Sequence, residues 1–505
     1  MRRTRKISKL PLVIGFIVVI ITTFFILKIA TGGKVSIIKN GTLHLSDNFT
    51  EEDKQLILSA VPETEKFSKD LNLDIALSNS RPSDEKEALF DIILPTVDFY
   101  DETSNISSEG FRTNIDSPAA NAKISATSLF ELSPEKKLVS LDGKYFLDDF
   151  EQGALYRVIS IKDLNGETIS DPETVEVLQK ISQKLPELPM KDTTLSINQT
   201  GVTALTRKLQ TKLDQTGNGA YFAENIADFL KNTDLTHISN EVSFADNCTT
   251  NSSTTTLCSD PRMFATVEAI GTDIVELTGN HNNDWSAAAN INSIEKYQNS
   301  NMQTFGGGKD EESAKIPLEI DQKNTKITWV GVNNSTSTKA NGQGASGNHP
   351  GANIYDEETV KSQISEAKER GDSVIVDIQY FECYSYPDGY AEMPSCDAPI
   401  SGQQAFFRKM IDFGADLVVG TQAHQPQTFE IYEGKPIYYG LGNLFFDQTR
   451  WPGTTRSIVL THYFNNGKLL QTRFSPTVYD STFQTRLMDQ PEAEAFYKRL
   501  VTSRP

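Results

Sequence analysis

The chain is short of cysteine and short of positive charge. Four cysteines in 505 residues fall into two close pairs, Cys248/Cys258 and Cys383/Cys396. Neither pair has Cys-x-x-Cys spacing, which argues against a zinc knuckle. In an oxidising compartment each pair would close a short loop. Lys and Arg number 48 against 67 Asp and Glu, for a formal net charge of −19. Phosphate backbones are bound by basic patches, so this balance argues against a nucleic-acid partner. A lone Gly306-Gly307-Gly308 run before Lys309-Asp310 is too weak a signal to read as a phosphate-binding loop.

Apolar residues make up 38% of the chain, enough for sizeable cores. The length leaves room for about three domains' worth of material. One long apolar run stands out. Arg2, Arg3, Arg5, Lys6 and Lys9 precede the uncharged stretch Leu10–Leu27, which is about the length needed to cross a bilayer as a helix. A cleaved signal peptide has a shorter core and a small-x-small site, and Lys28-Ile29-Ala30-Thr31-Gly32-Gly33 supplies a poor one. The positive-inside rule then assigns residues 1–9 to a cytoplasmic tail and 10–30 to a transmembrane helix. The rest of this single-pass cell-membrane protein is expected to be extracytoplasmic, where disulfides make sense.

Residues 35–188 read as a small α/β domain, with a helical pattern over Glu51–Leu71 and another over Asp171–Leu185. Ala88–Val97, Lys137–Leu141 and Leu155–Ile161 are expected strands. No catalytic constellation occurs there, and His44 reads as structural. Pro186–Asp192 reads as a linker. From Thr194 strands and helices alternate up to about residue 450, with a helix expected over Ala220–Lys231. Residues 451–505 read as a terminal hairpin and a helical tail. The fold class is α/β.

Polar residues of the second unit fall just past its strands. Ile274–Leu277 ends in Gly279-Asn280-His281, with Asp284 beyond. Asn240-Glu241, Gln379–Glu382 and His424 likewise follow apolar strands. In a parallel sheet such positions converge along one edge. Glu, His and Asn from separate strands, taken together, are how hydrolytic metal centres are built. Each residue alone is equally at home in a capped turn.

These segments also resemble the CapA capsule-synthesis (poly-γ-glutamate) family. The resemblance rests on Asn240-Glu241, Leu277–Asp284, Val376–Tyr380 with Glu382, Gly420–His424 and Gly442–Gln448, in that order. It implies a metallophosphatase-like α/β/β/α sandwich, preceded here by the smaller α/β domain and the transmembrane helix. It further implies an anionic cell-envelope polymer as substrate, polymer-synthase membrane subunits as partners and a divalent metal as cofactor. Glu241, His281 and His424 are the expected catalytic residues, and with Asp284 the expected metal ligands. Arg207, Asn240, Asn280, Gln379, Tyr380, Glu382 and Asn443 are expected to bind substrate.

The chain departs from that family at three places. Val202 stands where the family has a carboxylate, Gln379 where it has a histidine, and Pro426 at the second His of its His-x-His. Valine contributes no ligand. Three readings therefore stay open: a metal-assisted hydrolase or transferase acting on the polymer, a non-catalytic scaffold of a polymer synthase, and a phosphoesterase.

Overall fold

The computed structural model describes residues 41–116, 123–163, 165–251, 253–380, 383 and 394–504. The expected transmembrane helix and Glu382 lie outside these residues. Among those described, no helix is long and apolar enough to cross a membrane. Contacts group the chain into two units.

The first unit takes residues up to Ala76, Pro82–Phe90 and Val158–Leu185. Its helix Glu51–Ala60 starts in a capping box, in which Thr50 and Asp53 each accept the other's backbone N–H. The helical pattern continues toward Leu71, but Pro62 follows within two residues of Ala60 and the helix stops. A second helix, Pro172–Ser182, is capped by Asp171 with proline in its first turn. Both helices bury apolar side chains, among them Ile57, Val177 and Ile181, against Leu71, Leu73 and Ile159.

The second unit takes residues 77–81, 91–157 and 186–505. Two sheets carry it. One runs in the order Gln303–Phe305, Ile274–Glu276, Leu235–Asn240, Thr194–Thr203, Arg456–Asn465, Lys468–Val478 and Arg486–Leu487. Its first four strands are parallel. The other runs Leu318–Gln322, Thr325–Asn333, Ser373–Gln379, Leu417–Gly420, Lys435–Gly440 and Gln427–Tyr432.

Side chains alternate across each strand and so sort into layers. Ile197, Leu235, Ile274 and Leu460 of the first sheet share one core with Ile327, Trp329, Ile375 and Val419 of the second. The opposite face of the first sheet packs Ile238 and Val275 against Leu209, Val267 and Ile294 of its helices. The opposite face of the second packs Val330 and Val376 against Ile364 and Phe407. The order is helix, sheet, sheet, helix.

The expected helix over Ala220–Lys231 is broken. A 3₁₀ turn spans Tyr221–Ala223 and a single α-turn spans Ala227–Leu230. Distant segments take its carbonyls. Gln484 Nε2 donates to Tyr221 O at 3.2 Å and Thr485 N to Phe222 O at 3.3 Å. Phe222, Ile226 and Leu230 stay buried in one cluster. Helical spacing was therefore a burial signal here, not a backbone one.

Candidate active site

Inner-face positions change character along each central strand. Ile197 gives way to Gln199, Leu235 to His237, Ile274 to Glu276, Ile375 to Asp377, and Val419 to Thr421. These polar side chains are all buried. They form a floor between the apolar core and the strand-end loops, a few residues before the expected site positions. His237, Glu276 and Asp377 were missed in the sequence. The signal was a charged or imidazole side chain alternating in step with core residues.

The loops above the floor are held close. A Cβ on Gly279 would stand 2.7 Å from Glu241 Cα, so only glycine lets these two segments meet. Val242 and His281 then form a parallel bridge. Gln379 ties the edge together: its Nε2 donates to Glu241 Oε1 at 3.2 Å and to Asn280 Oδ1 at 3.1 Å. Its Oε1 accepts from Asn333 Nδ2, which also donates to Thr278 O at 2.7 Å. Asn333 is a fourth residue that sequence reasoning missed, because it closes an apolar strand without any motif around it.

His281 and Asp284 form a dyad, with Nδ1 and Oδ2 2.8 Å apart. Asp284 is otherwise occupied. Its Oδ2 also accepts Leu257 N at 3.0 Å and its Oδ1 accepts Gln343 Nε2 at 2.9 Å. The geometry gives it the job of orienting the imidazole. Burial works against a charged His281, yet the Asp284 hydrogen bond and the charges of Asp284 and Glu241 hold its pKa above the ordinary value, with His424 opposing. His424 is fixed through Nδ1 by Asn443 Oδ1 at 2.8 Å, and its ring lies 5.1 Å from that of Phe446.

Other expected substrate-binding groups have internal places. Asn443 is fully buried and donates Nδ2 to Thr454 O at 2.9 Å, so it positions His424. Asn240 turns its amide onto Val242 O at 2.8 Å. The Arg207 guanidinium pairs with Asp447 and lies 4.7 Å over the Phe446 ring. Tyr380 packs its ring 5.5 Å from Phe406, on the helix Gln403–Asp412. Cys248 is joined to Cys258 and Cys383 to Cys396.

The raised His281 pKa has a consequence for stability. A folded pKa above the unfolded one contributes stability that is fully present below the ordinary histidine range and is lost as pH rises through the folded value. Asp284→Asn removes the carboxylate that raises it. The stability gap between wild type and variant, followed by urea unfolding from pH 5.5 to 8.5, is therefore expected to be widest at acid pH and to narrow above neutrality. A gap that widens with pH would contradict the dyad.

Residues 196–448 match the family described as "Bacterial capsule synthesis protein PGA_cap". The capsule biosynthesis protein CapA of Bacillus anthracis is 27% identical over 206 residues, covering 40% of this chain and 46% of that protein. The PGA biosynthesis protein CapA of Bacillus subtilis (strain 168) is 29% identical over 196 residues, covering 38% and 48%. The chain thus spans about half the length of the curated relatives it matches. Among solved structures, the NAD nucleotidase NadN of Haemophilus influenzae aligns with 62% of this chain and 57% of its own at 13% identity. Its TM-score of 0.32 is too low to carry weight. The family match runs from the first strand of the layered unit to the Gly442–Gln448 segment, about half of the sequence, and the chain belongs to this family of bacterial capsule synthesis proteins.

Proposed function

We propose that the chain works at the cell surface in the synthesis, release or anchoring of an anionic capsule polymer, held in the membrane by residues 10–30. Its strand-end cleft is read as an acid–base centre acting on an amide or ester bond of that polymer. The observation that carries this reading is the His281–Asp284 dyad at 2.8 Å, with Glu241 near enough to raise the His281 pKa. The names of the CapA relatives support the polymer class. The layer order and the family support reading the unit as a divergent metallophosphatase-like sandwich.

A divalent metal belongs to that fold, and a two-ion centre does not fit the donors present. Val202 sits in an apolar cluster with Ala204, Val242, Leu257 and Phe446. Gln379 has its amide committed to Glu241, Asn280 and Asn333. The chemistry therefore falls to the chain's own acid–base groups. Glu241 would take a proton from the attacking water or acceptor hydroxyl, and His281 would give its Nε2 proton to the leaving nitrogen or oxygen. Asp284 favours the protonated imidazole and aims it, while Gln379 holds Glu241 and Asn280 in place.

The scaffold reading draws on the same apolar replacement at Val202, which leaves a binding cleft without chemistry. The full-length chain incubated with poly-γ-glutamate, and separately with a phosphoester, divides the readings. Shortening or transfer of the polymer is expected, reduced by about 10²-fold or more in Glu241→Gln and His281→Asn. Polymer that is bound but left intact would favour the scaffold, and phosphoester turnover alone would favour the phosphoesterase.

A further inference from the structure

Below the strand-end residues, two carboxylates and an imidazole meet between the two sheets. His237, Glu276 and Asp377 are fully buried. One ligand atom from each lies within 4.8 Å of the others. Among the described residues no other group of three or more His, Cys, Asp or Glu is gathered this tightly. His237 Nε2 stands 3.1 Å from Asp377 Oδ2. Even so, no hydrogen bond reaches His237 Nδ1 or Nε2, Glu276 Oε2 or Asp377 Oδ2.

The remaining carboxylate oxygens are already held. Gln199 Nε2 donates to Asp377 Oδ1 at 2.7 Å. Thr421 Oγ1 donates to Glu276 Oε1 at 3.1 Å, and Thr278 Oγ1 does the same. Each carboxylate therefore keeps one oxygen for another occupant. Buried carboxylates require a counter-charge, and no Lys or Arg pairs with either one among the described residues.

We propose that His237, Glu276 and Asp377 bind one divalent transition-metal ion that ties the two sheets together. His237 and Glu276 come from the first sheet and Asp377 from the second. One imidazole nitrogen and two carboxylate oxygens suit zinc or manganese. A supporting shell is in place. The His237 ring stacks on Trp329 at 5.0 Å and 11°, which sets its plane. Gln199, which holds Asp377, is itself held by His462 Nε2 at 2.9 Å. Burial pushes the His462 pKa down to about 3, so it adds no charge there. Burial and the neighbouring Asp377 charge push the Glu276 pKa up to about 7. The ion is structural and does not depend on the cleft chemistry, since neither His281 nor His424 is a ligand.

The test is metal analysis of the full-length chain, grown with added zinc and manganese and then desalted. About one equivalent is expected in the wild type and in His281→Asn/His424→Asn, falling to about a tenth or less in Glu276→Gln. Because Glu276→Gln could misfold, the wild type is also melted after chelation. Its midpoint should fall and should recover when zinc or manganese returns. A metal-free wild type whose midpoint neither metal moves would mean that a shared proton balances the cluster, and would overturn the proposal. So would an ion that is lost from His281→Asn/His424→Asn but retained in Glu276→Gln.

Discussion

Trp329→Ala is expected to remove about 3–5 kcal/mol of stability from the layered unit. Trp329 is fully buried in the core shared by both sheets. It stacks on His237 and lies 5.5 Å from the Phe305 ring. The substitution leaves a cavity at the boundary between apolar core and polar floor, which neighbours locked into strands cannot refill. The measurement is urea unfolding, in which the midpoint should drop while the slope stays unchanged. Trp329→Phe should recover much of the loss, because an aromatic face remains against His237. A loss below about 1 kcal/mol would mean that the two sheets are not packed through this residue.

Arg207→Met comes next in size, at about 3–5 kcal/mol. The Asp447 side chain is only 3% exposed, whereas that of Arg207 is 20% exposed. Removing the arginine strands a buried carboxylate, and strands it beside Phe446 in the apolar cluster. Methionine keeps the stem and the same backbone, for which the φ of 52° is no worse than for arginine. The reverse change, Asp447→Asn, leaves a guanidinium that water can reach and should cost clearly less. Equal losses in the two variants would show that the charge pair is not what holds the segments.

Strand positions and the strand-end residues were legible in the sequence, because both are written locally. Apolar alternation marks Thr325–Asn333 and Ser373–Gln379, and abrupt polar turns mark Gly279–His281 and His424. The break in the Ala220–Lys231 helix was not legible. There Gln484 and Thr485, far along the chain, donate to the carbonyls of Tyr221 and Phe222. Nor was the lodging of Arg207, whose planar fork suits a bound carboxylate or phosphate but is met by Asp447 from a distant segment.

By itself the sequence determined the alternation of strands and helices, the ordered strand-end motifs and, through them, the family. Local spacing and turn chemistry carry that information. Tertiary structure alone decided which partner each polar group meets. Asp284 orients His281, Asn443 holds His424, and Gln379 spans Glu241 and Asn280. It also decided that His237, Glu276 and Asp377 face one another. They lie on three strands of two sheets, and only the packing of those sheets brings their side chains into reach.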